Sequence, residues 1–163
     1  MRIGQGIDFH VYKLGRRMIL GGIDLELDYG LLGHSDADVL LHALSDAILG
    51  ALGLGDIGRH FPDSDPAYRG ADSGELLKQV LERMHEQGYR LVNADLTLIG
   101  QKPKLAPYRD RIEDNIKRLT GCEAINVKAT TTEKMGAIGR EEGLAAMAIV
   151  LLEHATLPEI YQC

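Results

Sequence analysis

Gly33-His34-Ser35-Asp36-Ala37-Asp38-Val39-Leu40-Leu41-His42 sets two histidines, two acids and a serine within ten positions. Read onward as a helix through Asp46, the stretch puts Asp38, His42 and Asp46 on one face, because residues four apart stack on a helix. A polar stripe of this kind can hold a metal ion together with the group that orients its ligand. It can also be structure alone, since Ser35-x-x-Asp38 resembles a capping box and Ser35 or Asp36 would suit a helix start. A second set of donors lies near the amino terminus. Asp8 and His10 are two apart in an alternating segment, so on a strand both side chains leave the same face. That makes either a rigid two-donor unit or the polar face of an edge strand.

Two further segments suit a phosphorylated ligand. Residues 125–134 read as a strand ending in Thr130, Thr131, Thr132, Glu133 and Lys134. Hydroxyls donate to phosphate oxygens and an acid holds a divalent cation, although threonine is also simply a good strand former. Gln101-Lys102-Pro103-Lys104-Leu105-Ala106-Pro107 stays extended, because a residue before proline avoids the helical region. Its free backbone groups beside two lysines could read a base edge or hold a phosphate, or merely connect.

These groups need elements to position them. Residues 2–12 alternate as a strand. Gly4-x-Gly6 is not a dinucleotide fingerprint, because a strand and not a helix follows it. Two short strands about Gly21-Gly22 come next, then a helix over 36–52 that Gly53 and Gly55 stop. Residues 59–71 form a long polar loop around Phe61-Pro62-Asp63-Ser64-Asp65, whose length favours function over simple connection. Asp72 or Ser73 caps a second helix to about residue 87. A strand spans 89–100, and a third helix runs over 107–119. Residues 144–153 carry an apolar run with no polar face. This predicts a strand covered on both sides, one layer of it supplied by another subunit.

Composition narrows the field. With 163 residues, 45% hydrophobic and 26% charged, one globular domain over 1–163 is expected, without repeats or linkers. A net charge of −6 argues against a nucleic-acid surface. Cys122 and Cys163 have no metal or redox spacing. No apolar run reaches membrane-spanning length, so no membrane partner is expected. The expected location is the cytoplasm, or an organelle after removal of a targeting segment.

Asp8-x-His10, the His34–His42 stretch, Phe61-Pro62-Asp63-Ser64-Asp65 and Lys128-Ala129-Thr130-Thr131-Thr132-Glu133-Lys134 follow in that order. Together they resemble the 2-C-methyl-D-erythritol 2,4-cyclodiphosphate synthase family of non-mevalonate isoprenoid biosynthesis, over nearly the whole chain. The resemblance implies an α+β subunit with ferredoxin-like β-α-β character, sheet on one side and helices on the other. It also implies a homotrimer with active sites between subunits. The implied activity is that of a phosphorus–oxygen lyase: 4-diphosphocytidyl-2-C-methyl-D-erythritol 2-phosphate closes to the cyclic diphosphate and releases CMP.

By the same resemblance Asp8, His10 and His42 are zinc ligands, and Glu133 carries magnesium or manganese. His34 and Thr131 match catalytic positions. His34, Ser35, Asp56, Ile57, Gly58, Phe61, Pro62, Asp63, Ser64 and Asp65 match the methylerythritol pocket. Gly100, Gln101, Lys102, Pro103, Lys104, Leu105, Ala106, Thr130, Thr131 and Thr132 match the cytidine diphosphate site. Asp46 or Asp38 would orient His42. Arg140 matches the family pattern, but Ala137 stands where members often carry an aromatic residue. That leaves open whether an isoprenoid diphosphate binds the trimer's cavity. Residues 157–163 extend past the family's usual end. Two other readings share some of these residues: a zinc phosphohydrolase using metal-bound water, and a non-catalytic trimeric metal- or ligand-binding protein.

Overall fold

The alternation at the amino terminus becomes β1 (Arg2–Leu14), whose two faces differ in chemistry. One face carries Gly4, Gly6, Asp8 and His10, and the other carries Ile3, Ile7, Phe9 and Val11. The computed structural model describes residues 1–155 except Asp63 and Arg69. The expected pocket residue Asp63 and the extension 157–163 therefore lie outside the described residues.

β1 is not an edge strand. β4 (Tyr29–Leu31), β1, β7 (Gly143–His154), β5 (Tyr89–Ile99) and β6 (Ile125–Thr130) form one mixed sheet in that order. Only β5 and β6 are parallel, and α4 (Arg109–Thr120) joins them as a β-α-β unit. β2 (Ile19–Leu20) and β3 (Ile23–Asp24) make the separate hairpin expected at Gly21-Gly22.

α1 (Val39–Leu52) lies across β1, β7 and β5 and packs against α3 (Ser73–Glu86), which also touches β5. It is apolar nearly all round, as a helix between two layers must be, and only Asp46 and Gly50 escape full burial. Its close seat on the sheet explains the amino-terminal glycines. A Cβ on Gly4 would come 1.8 Å from the Ala47 carbonyl oxygen, and one on Gly6 would come 2.0 Å from that of Ala43. Both contacts are with rigid backbone, so Gly6→Ala must push α1 off β1. We expect a loss of about 2–3 kcal/mol in unfolding free energy, read from denaturant melts, and weaker metal binding because His42 rides on α1.

The start of α1 departs from expectation. The helix begins at Val39, and its cap is Asp38, not Ser35 or Asp36. Ala37, with φ of 59°, breaks the helical run before it. Ser35 and Asp36 instead bond the amides of Ala37 and Asp38 in the approach to the cap. β6 likewise ends at Thr130, because Glu133 and Lys134 adopt positive φ (50° and 65°), which an extended strand cannot contain. α2 (Ile57–His60), α5 (Gly136–Gly139) and β4 fall in stretches too short to show a period.

The helices cover one face of the sheet. On the other face Ile3 is 75% exposed, Phe9 64%, Val11 53%, Ile149 49% and Ile7 45%. Among the described residues β7 is thus covered on one side only. No described helix is long and apolar enough to cross a membrane.

Candidate metal centre and pocket

His42 sits one turn inside α1, and the glycine-lined seat of that helix brings its ring down onto the polar face of β1. Asp8 Oδ2 lies 2.9 Å from His10 Nε2 and 3.0 Å from His42 Nδ1, and the two ring nitrogens are 3.3 Å apart. Among the described residues these three form the one cluster whose donor atoms all fall within 4.8 Å of one another. Tetrahedral zinc with bonds of about 2.0–2.1 Å holds its donors roughly 3.3 Å apart, so two imidazoles and a carboxylate at this spacing fit three of its four positions. The three donors also line a pocket.

Each histidine is set by a second partner. His10 Nδ1–H donates to the Leu32 carbonyl at 2.9 Å, which leaves Nε2 with its lone pair toward the cluster. On His42 the outer nitrogen, Nε2, lies 2.9 Å from Ser73 Oγ and 3.1 Å from Ser35 Oγ. Two serines therefore orient His42, and neither acid of the expected stripe does. Asp46 accepts the Ile57 amide at 2.7 Å and so anchors the pocket wall. Asp38 faces away and accepts from four backbone amides: Gly21, Gly22, Leu40 and Leu41. Position on a helical stripe pointed to His42, which does join the donor cluster, but packing decided what its far side meets.

The charges interlock. Burial alone would raise the Asp8 carboxyl. The hydrogen bonds from His10 and His42, and the charges of both rings, outweigh burial and hold it well below the carboxylate range. Burial would lower His42, yet the Asp8 hydrogen bond and charge, followed by Asp38 and Asp36, push it up. Burial also raises the Asp46 carboxyl, against the Ile57 amide bond.

Beside the three donors the pocket is lined by His34, Ser35, Ile57, Gly58, Phe61 and Asp65. Ser64 joins His34 and Asp65 in the adjoining groove. Asp56 caps α2 through the Arg59 amide, fixing the turn that presents Ile57 and Gly58. Pro62 is not among the lining residues. Sequence reasoning missed Tyr68 and Leu76 as walls; Tyr68 meets the Phe61 ring edge-on at 5.3 Å. It also missed Arg16, whose guanidinium bonds the carbonyls of Leu31, Gly33 and Ser35 and so holds the segment that presents His34. Nothing local in the sequence marks these three.

The remaining expected residues gather elsewhere. Residues 100–106 and Thr130, Thr131, Thr132 and Glu133 follow the carboxyl ends of the parallel pair β5 and β6, where the Gly100 amide bonds the Thr130 carbonyl. β6 is three strands from β1, or about 14 Å at the usual spacing. None of these residues lines the pocket beside Asp8 and His10. Thr131 Oγ1 donates to the Glu133 carboxylate at 3.0 Å. The Lys102 ammonium lies over the Tyr12 and Tyr29 rings and pairs with Glu141 at 2.9 Å, while the Tyr12 hydroxyl bonds the Lys102 carbonyl. Ala137 lies in α5 and Arg140 caps it, pairing with Glu142.

Residues 1–153 match the model of the YgbB family. A relative from Geobacillus kaustophilus, named 2-C-methyl-D-erythritol 2,4-cyclodiphosphate synthase, is 60% identical over 154 residues, 93% of this chain and 98% of its own. Among solved structures, a 2C-methyl-D-erythritol-2,4-cyclodiphosphate synthase in a CDP-bound form superimposes with a TM-score of 0.86 at 39% identity, over 93% of this chain and all of that one. The bifunctional IspDF of Campylobacter jejuni gives 0.90 at 44% identity over 94% of this chain, which spans only 42% of that longer protein. With the family model matching residues 1–153 and a relative 60% identical over 93% of the chain, this chain belongs to the YgbB family.

Proposed function

We infer that this chain is a 2-C-methyl-D-erythritol 2,4-cyclodiphosphate synthase acting in non-mevalonate isoprenoid biosynthesis, as a single domain over 1–163. The observation that carries the reading is the convergence of Asp8, His10 and His42 in the pocket that also gathers His34, Ser35, Ile57, Gly58, Phe61 and Asp65. The substrate, 4-diphosphocytidyl-2-C-methyl-D-erythritol 2-phosphate, brings its own nucleophile. An oxygen of the 2-phosphate attacks the β-phosphorus, the bond from that phosphorus to the bridging oxygen breaks, and CMP leaves with the α-phosphate. No serine or cysteine nucleophile is required, so the protein's task is positioning and charge stabilisation.

Asp8, His10 and His42 would hold zinc, and Glu133 would hold magnesium or manganese. Such cations, when bound, supply Lewis acidity toward phosphate oxygens. The chain's own residues do the rest. Phe61, Ile57 and Gly58 enclose the methylerythritol portion and exclude water. His34 and Ser35 stand beside the metal donors as hydrogen-bond partners for phosphate oxygens. Thr130, Thr131 and Thr132 offer hydroxyls to the cytidine diphosphate. In residues 100–106 the Lys102 ammonium is committed to two rings and Glu141, so cytosine reading falls to backbone groups.

The separation of these two clusters on one subunit supports a homotrimer in which one copy's cytidine site faces the next copy's metal centre. The uncovered apolar face supplies the interface. Incubation with the substrate and magnesium should release CMP and the cyclic diphosphate in equal amounts. A linear hydrolysis product would replace this reading with a phosphohydrolase, and no turnover would leave a binding protein. Light scattering should give three chains of 17.9 kDa each.

A further inference from the structure

Ser73 orients His42, and Asp36, which has no place in the reading above, reaches the metal centre through it. Ser73 is the first residue of α3 and is 1% exposed. Its Oγ lies 2.9 Å from His42 Nε2 and also donates to the Asp36 carboxylate at Oδ1. The other carboxylate oxygen of Asp36 accepts the Ser73 amide at 3.1 Å, so both of its oxygens grip one residue.

Proton counting makes the arrangement directional. A hydroxyl has one hydrogen, and an ionised carboxylate can only accept. With its hydrogen committed to Asp36, Ser73 Oγ can only accept, so His42 Nε2 must carry a hydrogen and donate it. In the neutral ring Nδ1 then has the lone pair, and Nδ1 is the nitrogen 3.0 Å from Asp8 Oδ2. Ser35 Oγ, 3.1 Å from Nε2, accepts the Ala37 amide; that bond does not fix where its own hydrogen points, so Ser35 does not impose this direction. His10 obtains the same result from the fixed Leu32 carbonyl.

We propose that Asp36 is a positioning residue for the metal centre, acting through Ser73 to hold His42 in the tautomer and ring orientation whose Nδ1 binds the cation. The inference rests on the metal-centre reading. It concerns how well the centre holds metal and does not depend on which substrate is turned over.

The test uses the full-length protein and zinc alone. Zinc affinity is measured by competition with a chromophoric chelator for wild type, Ser73→Ala, Asp36→Asn and the double variant, with circular dichroism confirming the fold. Each single change should weaken zinc binding by roughly 10–100-fold, the usual effect of losing a partner that orients a ligand. The double variant should be no weaker than the poorer single, because the two residues act as one relay. The cobalt(II)-substituted visible spectrum should shift in both singles. Affinity within twofold of wild type in a folded Ser73→Ala or Asp36→Asn protein, or strictly additive losses, overturns the relay. Failure of the wild type to bind zinc overturns the metal-centre reading and the relay with it.

Discussion

His42→Ala is expected to leave a folded protein with the wild-type oligomeric state that has lost both its zinc and its product formation. The change removes one of three donors whose atoms all lie within 4.8 Å of one another, and water is a poor substitute for imidazole. If the cation supplies several kcal/mol of charge stabilisation, and each 1.36 kcal/mol is tenfold in rate, turnover should fall by roughly a thousandfold or more. The uncovered sheet face lies on the opposite side of β1 from His42, so assembly should survive. Chelator-stripped wild type should match the variant, and added zinc should restore only the wild type. Because Asp8 pushes His42 up, a cation entering the site must displace a proton. Zinc affinity should therefore drop about tenfold for each pH unit below the point where His42 protonates. A His42→Ala protein that kept stoichiometric zinc would refute the ligand assignment.

Asp38→Ala should cost stability and not metal. The carboxylate is fully buried and accepts from the Gly21 amide at 3.0 Å, Gly22 at 2.6 Å, and Leu40 and Leu41 at 3.1 Å each. It thus ties the β2–β3 turn to the amino end of α1. Alanine leaves four amides without an acceptor, at roughly 1–3 kcal/mol each where water cannot enter. Against this stands relief from burying a charge. Desolvation raises the carboxyl to about 6, with the Asp36 charge adding and the amide bonds opposing. Two pH units correspond to about 3 kcal/mol. The orphaned amides outweigh that relief, and we expect a net loss of about 3 kcal/mol near neutrality.

The pH dependence has a definite sign. A carboxyl raised in the folded state contributes stability fully below its unfolded value, near 4, and loses it as pH rises through 6. The gap between wild type and Asp38→Ala should therefore shrink from pH 4 to pH 7. Denaturant melts across that window check it. Unchanged stability, or a gap that widens with pH, would overturn the role given to Asp38.

The sequence was most informative where neighbours along the chain decide the outcome. The alternation around Asp8 and His10 was legible because a strand's two faces follow directly from its period. His42 was legible as a helix residue because of its spacing from Asp38 and Asp46, and Gly53 does end α1 in the left-handed conformation. The onset of α1 was not legible, because Ser35, Asp36 and Asp38 are all competent caps. The choice fell to Asp38 through the amides of Gly21 and Gly22, which no local pattern brings near. Gly4 and Gly6 give no sign in the sequence of what they face, yet they are the clearance that lets α1 reach β1.

The chain's own order of residues determined the donors, the strand and helix that carry them, and the family to which they point, because period and motif depend on short separations. Only the tertiary structure decided that Ser73, 31 residues beyond His42, sets its far nitrogen, and that Asp36 stands behind it. It alone also decided that Asp46 serves the pocket wall and that the threonine cluster lies three strands from the metal donors. A hydrogen bond requires two atoms within about 3 Å and correctly aligned. Where those atoms come from distant segments, packing of the layers sets that distance, and spacing along the chain does not encode it.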